Sequence, residues 1–182
     1  MIYLIGGSSH VGKTLLAQKL LEAHRIPYLS LDHLKMGLIR THMTSLTVND
    51  DYKMRFFLFP LAAEMIKTAI ENDQSLIVEG CYIPSQWKDY FDASYLDKIR
   101  AVFLVMSEAY LRGNFAAVGD YANVIEQRKD DELDLERLIQ CSREFREEST
   151  QYHNACLEID ESYDISAIQA EAERLLGMEA EA

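Results

Sequence analysis

The run Gly7-Ser8-Ser9-His10-Val11-Gly12-Lys13-Thr14 constrains this chain more than any other stretch of it. A glycine, four residues and then Gly-Lys-Thr set successive backbone N–H groups around a pyrophosphate. Glycine permits the tight turn, and the helix that follows points its positive end at the same place. The flanking residues support this reading over a chance glycine-rich turn. Ile2-Tyr3-Leu4-Ile5 is an apolar, β-favouring run that stops at Gly6-Gly7, and residues 14 to 24 place Leu15, Leu16, Leu20 and Leu21 near helical spacing. In such a cradle Gly7, Ser8, Ser9, His10, Val11 and Gly12 hold a nucleotide of the ATP type and Lys13 meets its β- and γ-phosphates. Thr14 offers a hydroxyl to Mg²⁺, an ion that prefers octahedral oxygen ligation shared with phosphates. His10 is expected to contribute its backbone N–H rather than its imidazole.

The remainder alternates strands with helices. Residues 27 to 31 read as a strand ending at Asp32, and 33 to 39 as a helix. Leu61, Met65, Ile66 and Ala69 form the stripe of a long helix that starts after Pro60, since proline fits a first turn. Residues 75 to 80 and 99 to 106 are continuously apolar, as buried parallel strands are, and 155 to 159 is a weaker fifth strand. Helices after Asp131 and from 166 to 176 complete the chain. The alternation implies a three-layer α/β/α architecture around a five-stranded parallel sheet. Gly113, Asn114, Gly119 and Asn123 break the pattern between Arg112 and Arg128, which reads as a mobile loop over a site. With 182 residues and 48% hydrophobic composition, one domain is expected.

A net charge of -12 excludes the broad basic surface that nucleic-acid backbones require. It leaves room for a local positive cleft, because screening acts over roughly 8 to 10 Å. The acidic clusters at 130–136, 144–148 and 158–161 read as solvated helix faces. Cys81, Cys141 and Cys156 form no CxxC pair, so neither a disulfide framework nor a zinc knuckle is expected, and a reducing compartment fits. No stretch approaches membrane-spanning length and the short apolar start lacks the flank of a signal peptide; a cytoplasmic protein without membrane partners is expected.

Ligands of open α/β sheets lie beyond the carboxyl ends of the strands, so Asp32 and Glu79 are the first candidates for chemistry. Asp32 can cap the helix beginning at His33 and also orient or deprotonate an attacking hydroxyl. Glu79 follows Leu76-Ile77-Val78 as the acidic end of a strand beside the phosphates, a place for metal or substrate. Phosphoryl transfer also needs positive charge at the outer oxygens. Arg112 and Arg128 bracket the irregular segment and are candidates to close on the phosphates. Arg143 and Arg146 are alternatives that compete with nearby carboxylates. Arg40 and Arg55 lie where an anionic acceptor would sit. The aromatic set Tyr52, Phe56, Phe57, Phe59, Tyr82 and Trp87 reads as core rather than as acceptor pocket.

Across its whole length the element order resembles the nucleotide-kinase branch of P-loop proteins, which includes adenylate kinase, shikimate kinase, chloramphenicol phosphotransferase and 2-phosphoglycerate kinase. Gly6 to Thr14 looks especially like the loop of 2-phosphoglycerate kinase-like proteins, as does Val78-Glu79-Gly80 followed by Pro84. Arg128-Lys129-Asp130-Asp131 and Arg137-Leu138 are similar to the lid-to-helix passage of adenylate kinases. The resemblance implies one kinase domain over residues 1–182, a substrate-binding helical segment at about 33–72 and an arginine-bearing lid at about 112–130. It implies a phosphotransferase that uses ATP and Mg²⁺ and carries the γ-phosphoryl group to a small-molecule hydroxyl or phosphate, as a monomer or homodimer. Gly80-Cys81-Tyr82-Ile83-Pro84 stands where adenylate kinases have Gly-Phe-Pro-Arg. No lid cysteine quartet implies a zinc, and no Asn-Lys-x-Asp motif reads guanine. A nucleoside triphosphatase with water as acceptor and a nucleotide-binding regulatory protein stay open on the residues alone.

Overall fold

Five parallel strands, β1 (Ile2–Gly7), β2 (Tyr28–Ser30), β3 (Leu76–Glu79), β4 (Ile99–Met106) and β5 (Ala155–Ile159), form one sheet in the order β2-β3-β1-β4-β5. The computed structural model describes residues 1–121 and 134–178. Among the described residues seven α-helices accompany the strands: α1 (Lys13–His24), α2 (Leu31–Arg40), α3 (Asp51–Glu71), α4 (Ala93–Leu96), α5 (Glu108–Tyr121), α6 (Leu135–Gln151) and α7 (Ile165–Leu176). No described helix is long and apolar enough to cross a membrane.

The strands are apolar on both faces because helices cover both. Along β1, Tyr3 and Ile5 enter a core with Leu16 and Leu20 of α1 and Ile168 and Ala172 of α7. Ile2 and Leu4 point the other way, into a core with Met54, Leu58, Ala62 and Ile66 of α3. Strand β4 divides its side chains in the same way, Val102 and Leu104 against Phe103 and Val105. The expected three layers and five strands are therefore present, with β1 at the centre and its carboxyl end between those of β3 and β4.

Two boundaries differ from expectation. Helix α3 begins at Asp51 and carries Pro60 inside it rather than starting after it. The decisive pattern is Met54, Leu58, Ala62 and Ile66, one buried residue every four, while Leu61 and Met65 are exposed. Pro60 stands on the exposed side, where the carbonyl that loses its N–H partner has access to water. Of the aromatic set, Phe59, Tyr82 and Trp87 are core, whereas Tyr52, Phe56 and Phe57 lie on the outside of α3.

The second difference is α5. Residues 112–121, expected as loop, are helical, and the break expected from Gly113-Asn114 is a kink with Asn114 at φ −127° and ψ 20°. Asn114 Nδ2 donates to the Tyr110 carbonyl at 3.1 Å, a local bond that competes with the helix ladder. The rest of the expected lid, residues 122–130 with Arg128, lies outside the described residues.

Candidate phosphate and acceptor site

The cradle is shaped by backbone that only glycine tolerates. Gly7 has φ 117° and lies against β4, where a Cβ would collide with the Leu104 carbonyl oxygen. Gly12 has φ 86°, and a Cβ there would collide with the Tyr163 hydroxyl. No side chain caps α1, α2 or α3, whereas the first-turn N–H groups of α6 and α7 are taken by Asp134 and Asp164. What sets α1 apart is the glycine-shaped turn in front of it, which leaves its first N–H groups available to an anion. Lys13 is buried, and its ammonium donates to the Ser8 carbonyl at 2.6 Å, so the loop closes over its own lysine. Ser8 is anchored by its N–H to the Leu104 carbonyl at 3.0 Å and by a hydrogen bond from Ser142 Oγ of α6 at 3.1 Å.

Thr14 Oγ1 donates to Glu79 Oε1 at 3.2 Å. Glu79 is fully buried at the end of β3, in register with Ile5 of β1 and Ser30 of β2. A hydroxyl and a carboxylate at the start of α1 are hard oxygen donors of the kind Mg²⁺ accepts. Among the described residues no group of three or more His, Cys, Asp or Glu side chains could hold a metal alone. The donor set fits a cation that completes its shell with phosphate and water oxygens.

Gly12→Ala tests the cradle. An αL-type backbone costs a residue with a Cβ on the order of 1–2 kcal/mol, and the collision with Tyr163 adds to it. Nucleotide affinity measured by calorimetry should fall at least about tenfold. Adding Tyr163→Phe should restore only part, because the hydroxyl goes but the backbone strain stays. Full retention of affinity in Gly12→Ala would contradict this loop geometry.

The other half of the site is built from α2, α3 and the loop after β3. Strand β2 ends at Ser30 and α2 starts at Leu31, so Asp32 sits in the first turn of the helix rather than capping it ahead of His33. One turn later, buried Lys35 donates to Tyr82 Oη at 2.6 Å and to Asp51 Oδ1 at 2.8 Å. Tyr82 Oη donates to the same Asp51 oxygen at 2.9 Å, and Arg137 Nη2 lies 3.5 Å from Asp51 Oδ2. Burial, with the charges of Cys81, Asp32 and Asp51, pushes the Tyr82 phenol far above its ordinary range, so it stays a neutral donor.

Cys81 is only partly exposed, and burial followed by the Asp32 carboxylate pushes its thiol up to about 12, while Lys13 pulls it down.

The arginines are largely engaged with carboxylates. Arg112 bonds Glu136 Oε1 at 2.8 Å and Glu108 Oε1 at 2.9 Å. Arg143 reaches Glu108 at 3.1 Å and Arg146 reaches Glu158 at 2.8 Å. Arg55 stacks 4.5 Å from the Phe145 ring centre and lies 3.8 Å from Glu148, which in turn accepts from Ser85 at 2.8 Å. Arg40 is exposed in the last turn of α2. Sequence reasoning passed over Lys35, Asp51 and Tyr163, took Tyr82 as core rather than acceptor pocket, and named Arg137 only as part of a lid-to-helix passage. The available signal was the spacing of Asp32 and Lys35, which puts both on one side of a helix.

No protein-family model and no curated protein matches the sequence. Solved structures do. A sugar kinase from Janibacter sp. HTCC2649 superposes with a TM-score of 0.60 at 12% identity, covering 97% of this chain and 94% of that one. A shikimate kinase from Bacteroides thetaiotaomicron gives 0.57 at 17% identity, covering 98% and 99%. The fold is that of the P-loop small-molecule kinases. A gluconokinase from Sinorhizobium meliloti 1021 shares this P-loop kinase fold, with a TM-score of 0.51 at 17% identity over 98% of this chain and 92% of that one. None of these three is a 2-phosphoglycerate kinase, so that finer likeness rests on the loop sequence alone.

Proposed function

We propose that this protein is an ATP-dependent phosphotransferase that uses Mg²⁺ and carries the γ-phosphoryl group to a small-molecule hydroxyl or phosphate. One observation carries the reading: the segment Glu79–Tyr82 joins two half-sites. At one end Glu79 meets Thr14 of the cradle; at the other, Tyr82 meets Lys35 and Asp51. A triphosphatase needs only the first half. The solved neighbours named above, a sugar kinase, a shikimate kinase and a gluconokinase, also carry the names of small-molecule kinases.

In this reading the backbone N–H groups of residues 7–13 hold the phosphates, and Lys13 exchanges the Ser8 carbonyl for phosphate oxygen. Thr14 and Glu79 are the side chains that would hold Mg²⁺, which supplies charge compensation on the phosphate oxygens. The acceptor lies against the helical segment 33–72. Asp32 takes the hydroxyl proton as the acceptor oxygen bonds to the γ-phosphorus; the bond to the β–γ bridging oxygen breaks, and ADP leaves with that electron pair. Lys35 and Arg137 set the positive side of the acceptor pocket, with Arg40 and Arg55 further out. The lid at 112–130 brings Arg112, released from Glu136 and Glu108, and Arg128 to the phosphates.

ATP consumption by the pure protein should be slow and should rise when the small-molecule fraction of a cell extract is added. Steady phosphate release that the extract leaves unchanged favours the triphosphatase; saturable ATP binding with no turnover in either condition favours a regulatory protein. Lys35→Met removes the buried charge but keeps the length of the side chain. It should raise KM for the acceptor about tenfold or more, as loss of a charged hydrogen bond does, and leave KM for ATP within about twofold. An unchanged acceptor KM would remove Lys35 from the pocket.

A further inference from the structure

Helix α3 has 21 residues, about 31 Å of length, and its inner side is committed to the sheet. Among the described residues its outer side carries apolar side chains that nothing covers. Tyr52 is 73% exposed, Phe56 38%, Phe57 44%, Leu61 42% and Met65 39%, and Pro60 is exposed among them. A helix face facing water normally carries charge, and a contiguous apolar patch of this kind marks an interaction surface.

The order of residues on that face is self-complementary. At 3.6 residues per turn, Lys53, Phe57, Pro60 and Glu64 recur at i, i+4, i+7 and i+11 and form one seam. A two-fold axis midway between Leu58 and Phe59 sets a second copy of the helix antiparallel to the first. Lys53 then faces the second copy's Glu64, and Phe57 faces its Pro60. Phe56 and Leu61 stand level on the two flanks, and Tyr52 is level with Met65. All four seam residues are exposed. Within one chain Lys53 lies 3.8 Å from Asp50, and Glu64 lies 2.7 Å from Lys67. Both partners, Asp50 at the N-cap and Lys67 in the helix, are partly exposed neighbours three residues away, and such pairs exchange readily.

We propose that α3 is the interface of a symmetric homodimer, closed by antiparallel pairing of this helix with its copy in a second chain. Charge complementarity fixes the register, because the Lys53–Glu64 pair occurs twice by symmetry. The seam and its near flanks, Phe56, Phe57, Pro60 and Leu61, place the contact at the low end of the size range of specific interfaces, so the two charge pairs rather than the area select the partner. The same helix carries Asp51 and Arg55, so the pairing braces the acceptor side of each subunit. It does not depend on what the acceptor is.

Sedimentation of the purified full chain at a series of loading concentrations should give a concentration-dependent dimer, since contacts at the low end of the specific size range associate weakly. Phe57→Glu, at an exposed position outside the core, should give a monomer whose melting temperature no longer rises with protein concentration. Lys53→Glu and Glu64→Lys should each raise the dissociation constant about tenfold or more, and the double charge swap should restore it. A wild-type chain that stays monomeric overturns the proposal, including one that instead floats with phosphatidylcholine vesicles. A dimer indifferent to Phe57→Glu, or a double swap that stays weak, overturns the interface or its register.

Discussion

Lys13→Ala should lower kcat by about 10²–10³-fold or more, the range seen when one pre-aimed donor to developing charge is removed. The size of the effect follows from the burial of the lysine. Its ammonium sits inside the loop with the Ser8 carbonyl as partner, in surroundings where a charge interacts with phosphate far more strongly than in water. The fold should survive. The loss removes one hydrogen bond, worth about 1 kcal/mol, and the loop remains tied by Ser8 N–H to Leu104 and by Ser142. Turnover and a thermal melt on the same sample check both parts. Substantial activity in a folded Lys13→Ala protein would sink the phosphoryl-transfer mechanism itself.

Asp32→Asn should lower kcat by about 10²–10⁴-fold, the usual weight of a general base, with KM for ATP nearly unchanged. Asn keeps the size and the hydrogen-bonding reach of the side chain but cannot take a proton. Asp32 is partly exposed in the first turn of α2, one turn before Lys35, and its charge is felt at both Cys81 and Tyr82. In the proposed mechanism it serves the acceptor side. A folded Asp32→Asn protein keeping more than about a tenth of kcat would assign Asp32 to orientation and move the base elsewhere.

Much of the fold was legible because its signals are local. The cradle lies within a single strand-loop-helix unit, and β3 and β4 are apolar without interruption because helices cover both faces of the sheet. The start of α3 was misread where two local rules competed. Pro60 suits a first turn, but Met54, Leu58, Ala62 and Ile66 carry the stronger period, and the exposed side of the helix tolerates the proline. The break at Gly113-Asn114 was legible, but not that the chain resumes as helix on the far side of the kink.

Half of the candidate site was equally plain. Glu79 was found because a charge at the end of an apolar strand is conspicuous, and its contact with Thr14 agrees with the pairing of β3 beside β1. Lys35 and Asp51 were missed because each is unremarked alone, and Tyr82 was read as core, where its ring is buried while its hydroxyl meets the other two. They come from α2, the first turn of α3 and the loop after β3, and only tertiary packing makes them one group. Tyr163, far from the cradle in sequence, was missed for the same reason. The arginines show the converse: a cation is easy to read, but in an acid-rich chain the pairing of Arg112, Arg143 and Arg146 with nearby glutamates is set by geometry.

The most direct test of the central claim follows the phosphoryl group. The protein is incubated with Mg²⁺ and ATP labelled at the γ-phosphate, together with a pool of small metabolites and nucleosides, and the products are separated. Label should appear in a new phosphorylated small molecule, together with ADP, and the product should vanish with Lys13→Ala. Label found only in inorganic phosphate, or none transferred by a protein that binds ATP across all pools, would contradict the account.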